Sequence, residues 1–139
     1  MNYLILFFSL LFISAPVETN SLTINVSNIE SIEGTLEIAL FNSGEHFLEE
    51  GKAFKAVSIK VKSNQETLVI NDLPKGDYAI SMYHDKNADG KCNLNFLGVP
   101  TEPYGFSNNF RPKFSAPTFT DCQFNLNTNE TLKIKLGKY

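Results

Sequence analysis

Histidine and cysteine are scarce in this 139-residue chain. There are two histidines, His46 and His84, and two cysteines, Cys92 and Cys122, with neither C-x-x-C nor H-x-x-x-H spacing. A zinc site, which draws its ligands from such clusters, is therefore disfavoured. No Gly-x-Ser-x-Gly elbow and no phosphate-cradling glycine loop occurs, so the commonest hydrolase and nucleotide-enzyme signatures are missing. Charge of one sign is not concentrated either. Twelve Lys and Arg against fifteen Asp and Glu leave a net charge of −3 without a basic stripe, which argues against nucleic acid as a partner. Long hydrophobic runs are limited to residues 3–13, short of the ~18 residues that a spanning helix wants.

That run reads Tyr-Leu-Ile-Leu-Phe-Phe-Ser-Leu-Leu-Phe-Ile, and Ser14, Ala15 and polar sequence follow it. This is the layout of a signal peptide. The residues before it carry no Lys or Arg, and Pro16 follows Ala15 directly, so cleavage is placed only within residues 15–21. An uncleaved anchor is the alternative. The chain then divides into a leader, residues 1–20, and one domain, residues 21–139. About 120 residues suit a single core. No cysteine stands directly after the apolar run, so a lipid-anchored terminus lacks support. The expectation is a monomer exported to the periplasm or beyond, with no transmembrane segment in the mature chain.

What the chain has in quantity is period-two alternation. Leu22, Ile24 and Val26 alternate with polar residues, as do Leu36, Ile38 and Leu40, then Val57, Ile59 and Val61. Leu68 and Ile70, then Tyr78, Ile80, Met82 and His84, continue the pattern, and Cys122, Phe124, Leu126 and Leu132, Ile134, Leu136 close it. Each run reads as a strand with one face in a core. Seven such strands predict an all-β, antiparallel immunoglobulin-like or transthyretin-like sandwich with one long aromatic, proline-rich loop. Residues 45–54 are the one helical candidate, with Phe47, Leu48 and Phe54 as docking groups. In Leu73-Pro74-Lys75-Gly76-Asp77-Tyr78, the Pro and Gly suit a tight turn, and Tyr78 suits a sandwich corner where its hydroxyl reaches back to the turn. Two sequons, at Asn25 and Asn129, lie in or beside strands and read as chance matches.

Residues 84–93, His-Asp-Lys-Asn-Ala-Asp-Gly-Lys-Cys-Asn, hold the best candidate site. Asp85, Asn87 and Asp89 followed by Gly90 match the start of a calcium loop, D-x-[DN]-x-[DN]-G. The Lys91 carbonyl and Asn93 would continue it, but Phe96 stands at the twelfth position, where an EF-hand has a bidentate Glu. The missing carboxylate would have to come from Glu102, Asp77 or Asp121. Calcium binding there is expected to be weak, on the order of 10⁻⁴–10⁻³ M. The alternative is a bare turn in which Asp and Asn side chains bond backbone N–H groups. Cys92 inside this loop and Cys122 in the following strand can form a disulfide closing about 30 residues, worth ~3 kcal/mol, or remain two buried thiols.

Residues 86–118 lack clean periodicity and contain four of the six prolines together with several aromatic rings. An irregular segment of this length is functional or disordered, and its aromatic content disfavours disorder. Tyr104, Phe106, Asn108, Asn109 and Arg111 are the candidate contacts for a glycan or peptide. A second, ligand-free reading makes this loop a mini-core lying on the sandwich. An acid–base cluster of His84, Glu102 and Tyr104, as in a small hydrolase or lyase, is a further alternative without a recognisable motif.

Residues 84–126, HDKNADGKCNLNFLGVPTEPYGFSNNFRPKFSAPTFTDCQFNL, resemble the bacterial "domain of unknown function 2141" family. The L-P-x-G-x-Y-A turn and IALFNSGEHFL at residues 38–48 resemble it as well. The resemblance implies a small exported β-sandwich without an assigned activity. It also implies apolar residues where this chain has Cys92 and Cys122, a double departure that fits a disulfide. The expected function is thus a non-enzymatic exported module, with calcium as the candidate stabilising ion and a loop for an envelope or extracellular ligand.

Overall fold

A computed structural model describes residues 16–138 of the chain. The apolar run of the expected leader lies outside the described residues. The first strand, β1 (Thr19–Ser27), begins inside the window expected for cleavage.

Two sheets are stacked face to face. In one, β1 lies between β4 (Glu66–Pro74) and β8 (Glu130–Lys135). The other runs β3 (Lys55–Lys60), β2 (Thr35–Phe41), β5 (Gly76–Asp85), β6 (Tyr104–Phe106), and β7 (Phe124–Leu126) pairs with the start of β5. Eight strands are thus present among the described residues, one more than the alternation predicts. The pairing is not wholly antiparallel, because β8 runs parallel to β1 with Ile24 opposite Leu132.

Alternation does what period two requires. Leu22, Ile24 and Val26 of β1 turn inward against Leu36, Ile38 and Leu40 of β2, and all six are buried. Tyr78, Ile80, Met82 and His84 supply the inward face of β5 and are also buried. Tyr78 donates its hydroxyl hydrogen to the Pro74 carbonyl at 2.7 Å, the corner bond expected of it.

The outer face of β5 is covered as well. Ala79, Tyr104, Phe106 and Cys122 form a second buried cluster, against which Phe47, Leu48 and Phe119 pack. Phe47 meets Phe41 and Phe119 edge-on at ring-centroid separations of 5.2 and 5.9 Å. The expected helix over residues 45–54 is instead a series of turns, with Leu48 at φ 68°, outside helical space. Phe47 and Leu48 still dock on the second cluster, whereas Phe54 stays 45% exposed with its ring centroid 5.9 Å from that of Tyr78.

The strand expected around Cys122 is also displaced. Thr118 and Asp121 form a capping box, the Asp121 amide donating to Thr118 Oγ1 at 3.3 Å and the Thr118 amide to Asp121 Oδ2 at 2.8 Å. This starts a single helical turn, Phe119–Cys122, and leaves the strand only Phe124–Leu126. Local capping wins over a three-residue alternation.

β6 is the unexpected strand. Gly105 faces β8 so closely that a Cβ would sit 2.9 Å from Ile134 Cγ2 and 3.3 Å from the Lys135 carbonyl oxygen. The Tyr104 and Gly137 backbones exchange hydrogen bonds of 2.9 and 3.0 Å, joining the two sheets along this side.

Candidate functional site

The site lies where β5 ends. Its base is set by a glycine: Gly34, at φ 63°, passes so near β5 that a Cβ would fall 2.0 Å from the Asp85 carbonyl oxygen. His84 and Asp85 are thereby enclosed, at 0% and 1% exposure. From that enclosed end the chain leaves as the loop carrying the Asp and Asn residues.

Each carboxylate of the loop accepts from nitrogen donors. Asp85 Oδ1 accepts the Asp89 amide at 3.2 Å and Oδ2 the Gly90 amide at 2.7 Å. Gly90 makes the turn at φ 75°, as its place in the pattern demands. Asp89 Oδ1 accepts the Lys91 amide at 2.9 Å, and Oδ2 accepts the Asn87 and Asn93 side-chain amides at 2.9 and 3.2 Å. These bonds, the Lys91 backbone first and the Asn93 side chain second, hold the Asp89 carboxyl below its usual range.

Glu102 is the carboxylate that folds back. It is nearly buried, and it accepts the Lys86 amide at 3.0 Å and the Asn93 amide at 3.4 Å, tying the two ends of the loop base together. Asp77 and Asp121 serve elsewhere: Asp77 accepts from the Asn125 side chain at 2.8 Å, and Asp121 completes its cap. Among the described residues, no three His, Cys, Asp or Glu side chains are grouped to hold a metal ion. Asp85, Asn87, Asp89, Lys91, Asn93 and Glu102 do come together, and their recorded bonds are those of a carboxylate-bonded turn.

Two other expectations are corrected. Cys92 and Cys122 are both free thiols. Cys122 is sealed in the second cluster, where burial and then the Asp121 charge push its thiol up to about 12. Burial, with Glu102 adding to it, also raises Cys92. Neither thiol is poised as a nucleophile. Tyr104 and Phe106, candidates for ligand contact, are core residues at 6% and 8% exposure, because β6 turns both rings onto the outer face of β5.

Asn108 and Asn109 are exposed residues whose amides do structural work. Asn108 donates to the Gln123 carbonyl at 2.8 Å. Asn109 donates to the Lys133 carbonyl at 2.9 Å and accepts the Lys135 amide at 2.8 Å, so its side chain bonds β8 as a neighbouring strand would. Arg111 is exposed beyond them.

Of the acid–base candidates, His84 is fully buried. His84 Nε2 donates to the Glu33 carbonyl at 2.8 Å, and its buried Nδ1 has no hydrogen-bond partner among the described residues. Two surface depressions, one lined by residues 110–117 and Asp121, the other by residues 25–27, 65–67 and Lys133, include none of His84, Glu102 and Tyr104.

What sequence reasoning missed is the tip of the same loop. Leu94, Phe96 and Leu97 are 57%, 93% and 71% exposed. The backbone beneath them is well bonded. Asn95 gives its amide to the Val99 carbonyl at 2.8 Å and takes the Gly98 amide on its own carbonyl at 3.0 Å. Asn95 Oδ1 accepts the Leu97 and Val99 amides at 2.9 and 3.1 Å, and Leu94 bridges Pro100. The available signal was an apolar pair flanked by Asn95 and Gly98 in a stretch without charge.

The sequence profile of a family described as "Uncharacterized protein conserved in bacteria (DUF2141)" matches residues 24–135. The chain belongs to the DUF2141 family. In this DUF2141 chain the matched span contains the second cluster, the loop base and its tip, and all of the first core except Leu22 and Leu136. No curated protein and no solved structure matches the chain.

Proposed function

We propose that this chain is an exported, non-enzymatic contact module of the immunoglobulin-like or transthyretin-like sandwich class. Its two sheets hold the loop at residues 85–103 still, and the loop presents its tip to a partner in the periplasm or outside the cell. The observation that carries this reading is the exposure of Leu94, Phe96 and Leu97 on a loop bonded at its base and along its length. Ordered apolar side chains left in water mark a contact surface. Export is supported by the leader-like residues 1–20, and the sandwich class by the Tyr78 corner bond.

Calcium is part of the same proposal at the loop base. Asn87 and Asn93 both approach the Asp89 carboxylate, and rotation of the two amides would turn three side-chain oxygens together. The ion would then replace the amide-to-carboxylate bonds. A rise in melting temperature at millimolar calcium tests it, and an unchanged value removes calcium from the proposal.

The contact reading is tested by placing a photo-crosslinking residue at position 96 of the chain in its native cells, with position 69 as control. Val69 is 53% exposed on β4. Adducts from position 96 and none from position 69 are expected. Absence of adducts from position 96 overturns the reading.

A further inference from the structure

We propose that the partner of the loop tip is a lipid bilayer, into whose interfacial layer Leu94, Phe96 and Leu97 insert. This rests on the contact reading above and names its occupant. Three features of the tip favour lipid over protein. The first is charge: residues 92–101 contain none, so the part that would enter a low-dielectric layer carries no ion into it.

The second is the backbone. Hydrocarbon requires polar backbone groups to be satisfied within the inserting segment, whereas a protein partner can supply hydrogen bonds of its own. At the tip, the Asn95, Leu97, Gly98, Val99 and Thr101 amides donate to acceptors inside residues 93–99, which leaves only the Leu94 and Phe96 amides of residues 94–101 without such a bond. Pro100 has no amide hydrogen to satisfy. Asn95 accounts for much of this, because its side-chain oxygen takes two of those donors. An asparagine at the centre of an apolar tip is otherwise a poor choice, and this bonding explains it.

The third is side-chain type. Phe96 and Leu97 bring bulky apolar surface at low polar cost, the composition of interfacial anchors. Lys91, exposed at the base, adds one cation toward headgroups, and the Asp85, Asp89 and Glu102 carboxylates below it oppose a strong electrostatic attraction. Binding is therefore apolar in origin, nearly independent of lipid charge, and weakly dependent on salt.

The test is flotation with vesicles of phosphatidylcholine alone and of phosphatidylcholine mixed with phosphatidylglycerol. The protein used begins at Pro16, so that residues 3–13 do not themselves bind lipid. Both cores are built from Leu22 onward and are complete in it. Flotation with both vesicle types is expected, half-bound at millimolar lipid on the order of a single weak anchor. Phe96→Ser is expected to lower partitioning about tenfold, and Phe96→Ser with Leu97→Ser further, with melting temperatures unchanged. Phe114→Ser, at a fully exposed ring outside the tip, is expected to leave flotation intact.

Failure of the unaltered protein to float overturns the lipid assignment, as does flotation retained by the double variant or lost with Phe114→Ser. Tip-dependent dimerisation in sedimentation would make a second copy the occupant and would also overturn it. Protein adducts from position 96 without flotation would leave the contact reading standing and remove only the lipid.

Discussion

Replacing Asp85 with Ala separates a bonded turn from a metal site. The Asp85 side chain is buried, and its two oxygens receive the Asp89 and Gly90 amides at 3.2 and 2.7 Å. A hydrogen bond to a charged group is worth ~1.5–3 kcal/mol, and a donor left without a partner costs ~1–3 kcal/mol. Asp89 and Gly90 are themselves exposed, so water reaches their amides once the carboxylate is gone. The expected loss is therefore about 2.5 kcal/mol, below the sum of two full bonds. With ~2.1 cal/mol/K of unfolding entropy per residue over about 120 residues, that loss lowers the melting temperature by about 10 °C. The assay is thermal unfolding in the presence of a chelator, followed by circular dichroism. A fall of under ~3 °C would refute the bonding account, since the buried carboxylate would then contribute little. A fall seen only when calcium is present would move Asp85 from turn to ligand.

Gly105→Ala places a Cβ 2.9 Å from Ile134 Cγ2 and 3.3 Å from the Lys135 carbonyl oxygen, and an overpacked contact of this kind costs ~1–3 kcal/mol. The expected result is a lower urea midpoint with an unchanged slope, and a neutral substitution would contradict the close approach of β6 and β8. Two thiols per chain are expected to react with a thiol reagent in denaturant without reductant, whereas native Cys122 stays unreactive; fewer than two would restore the disulfide. Asp121 is held below its ordinary 3.8 by the Thr118 backbone and then the Thr118 hydroxyl. A depressed carboxyl stabilises the fold above its unfolded value and loses that contribution as pH falls through the folded one. Thr118→Ala should therefore reduce melting temperature at neutral pH, and the gap should narrow without closing as pH falls through the lowered Asp121 carboxyl, because the Asp121 amide bond to Thr118 Oγ1 does not titrate; a gap that stays constant into acid would count against the cap.

Much of the fold is legible in the chain because its signals are local. Inward residues recur at period two in β1, β2, β4, β5 and β8, and Tyr78 follows a Pro and a Gly that suit a tight turn. The loop base was legible too: Asp85, Asn87, Asp89 and Gly90 form the bonded turn their spacing suggests, and Glu102 returns to it. Failures fall where non-local contact outweighs pattern. Tyr104-Gly105-Phe106 has no extended alternation, and becomes a strand because β5 and the Gly137 backbone both pair with it. The aromatic rings of the long segment look alike in sequence, yet Phe106 is buried while Phe96 and Phe114 stand in water.

The amino-acid sequence by itself determined the β class, the corner at Tyr78 and the place of the Asp and Asn loop, since each depends on residues within a few positions of one another, and it determined the family through motifs spread along the chain. Tertiary structure alone decided which aromatic rings are core, that Cys122 is enclosed apart from any disulfide, and that the loop ends in an exposed apolar tip. Those outcomes depend on what packs against each side chain from distant parts of the chain. Ala79 and Phe119 cover Cys122, β5 covers Phe106, and Phe96 is left almost wholly in water.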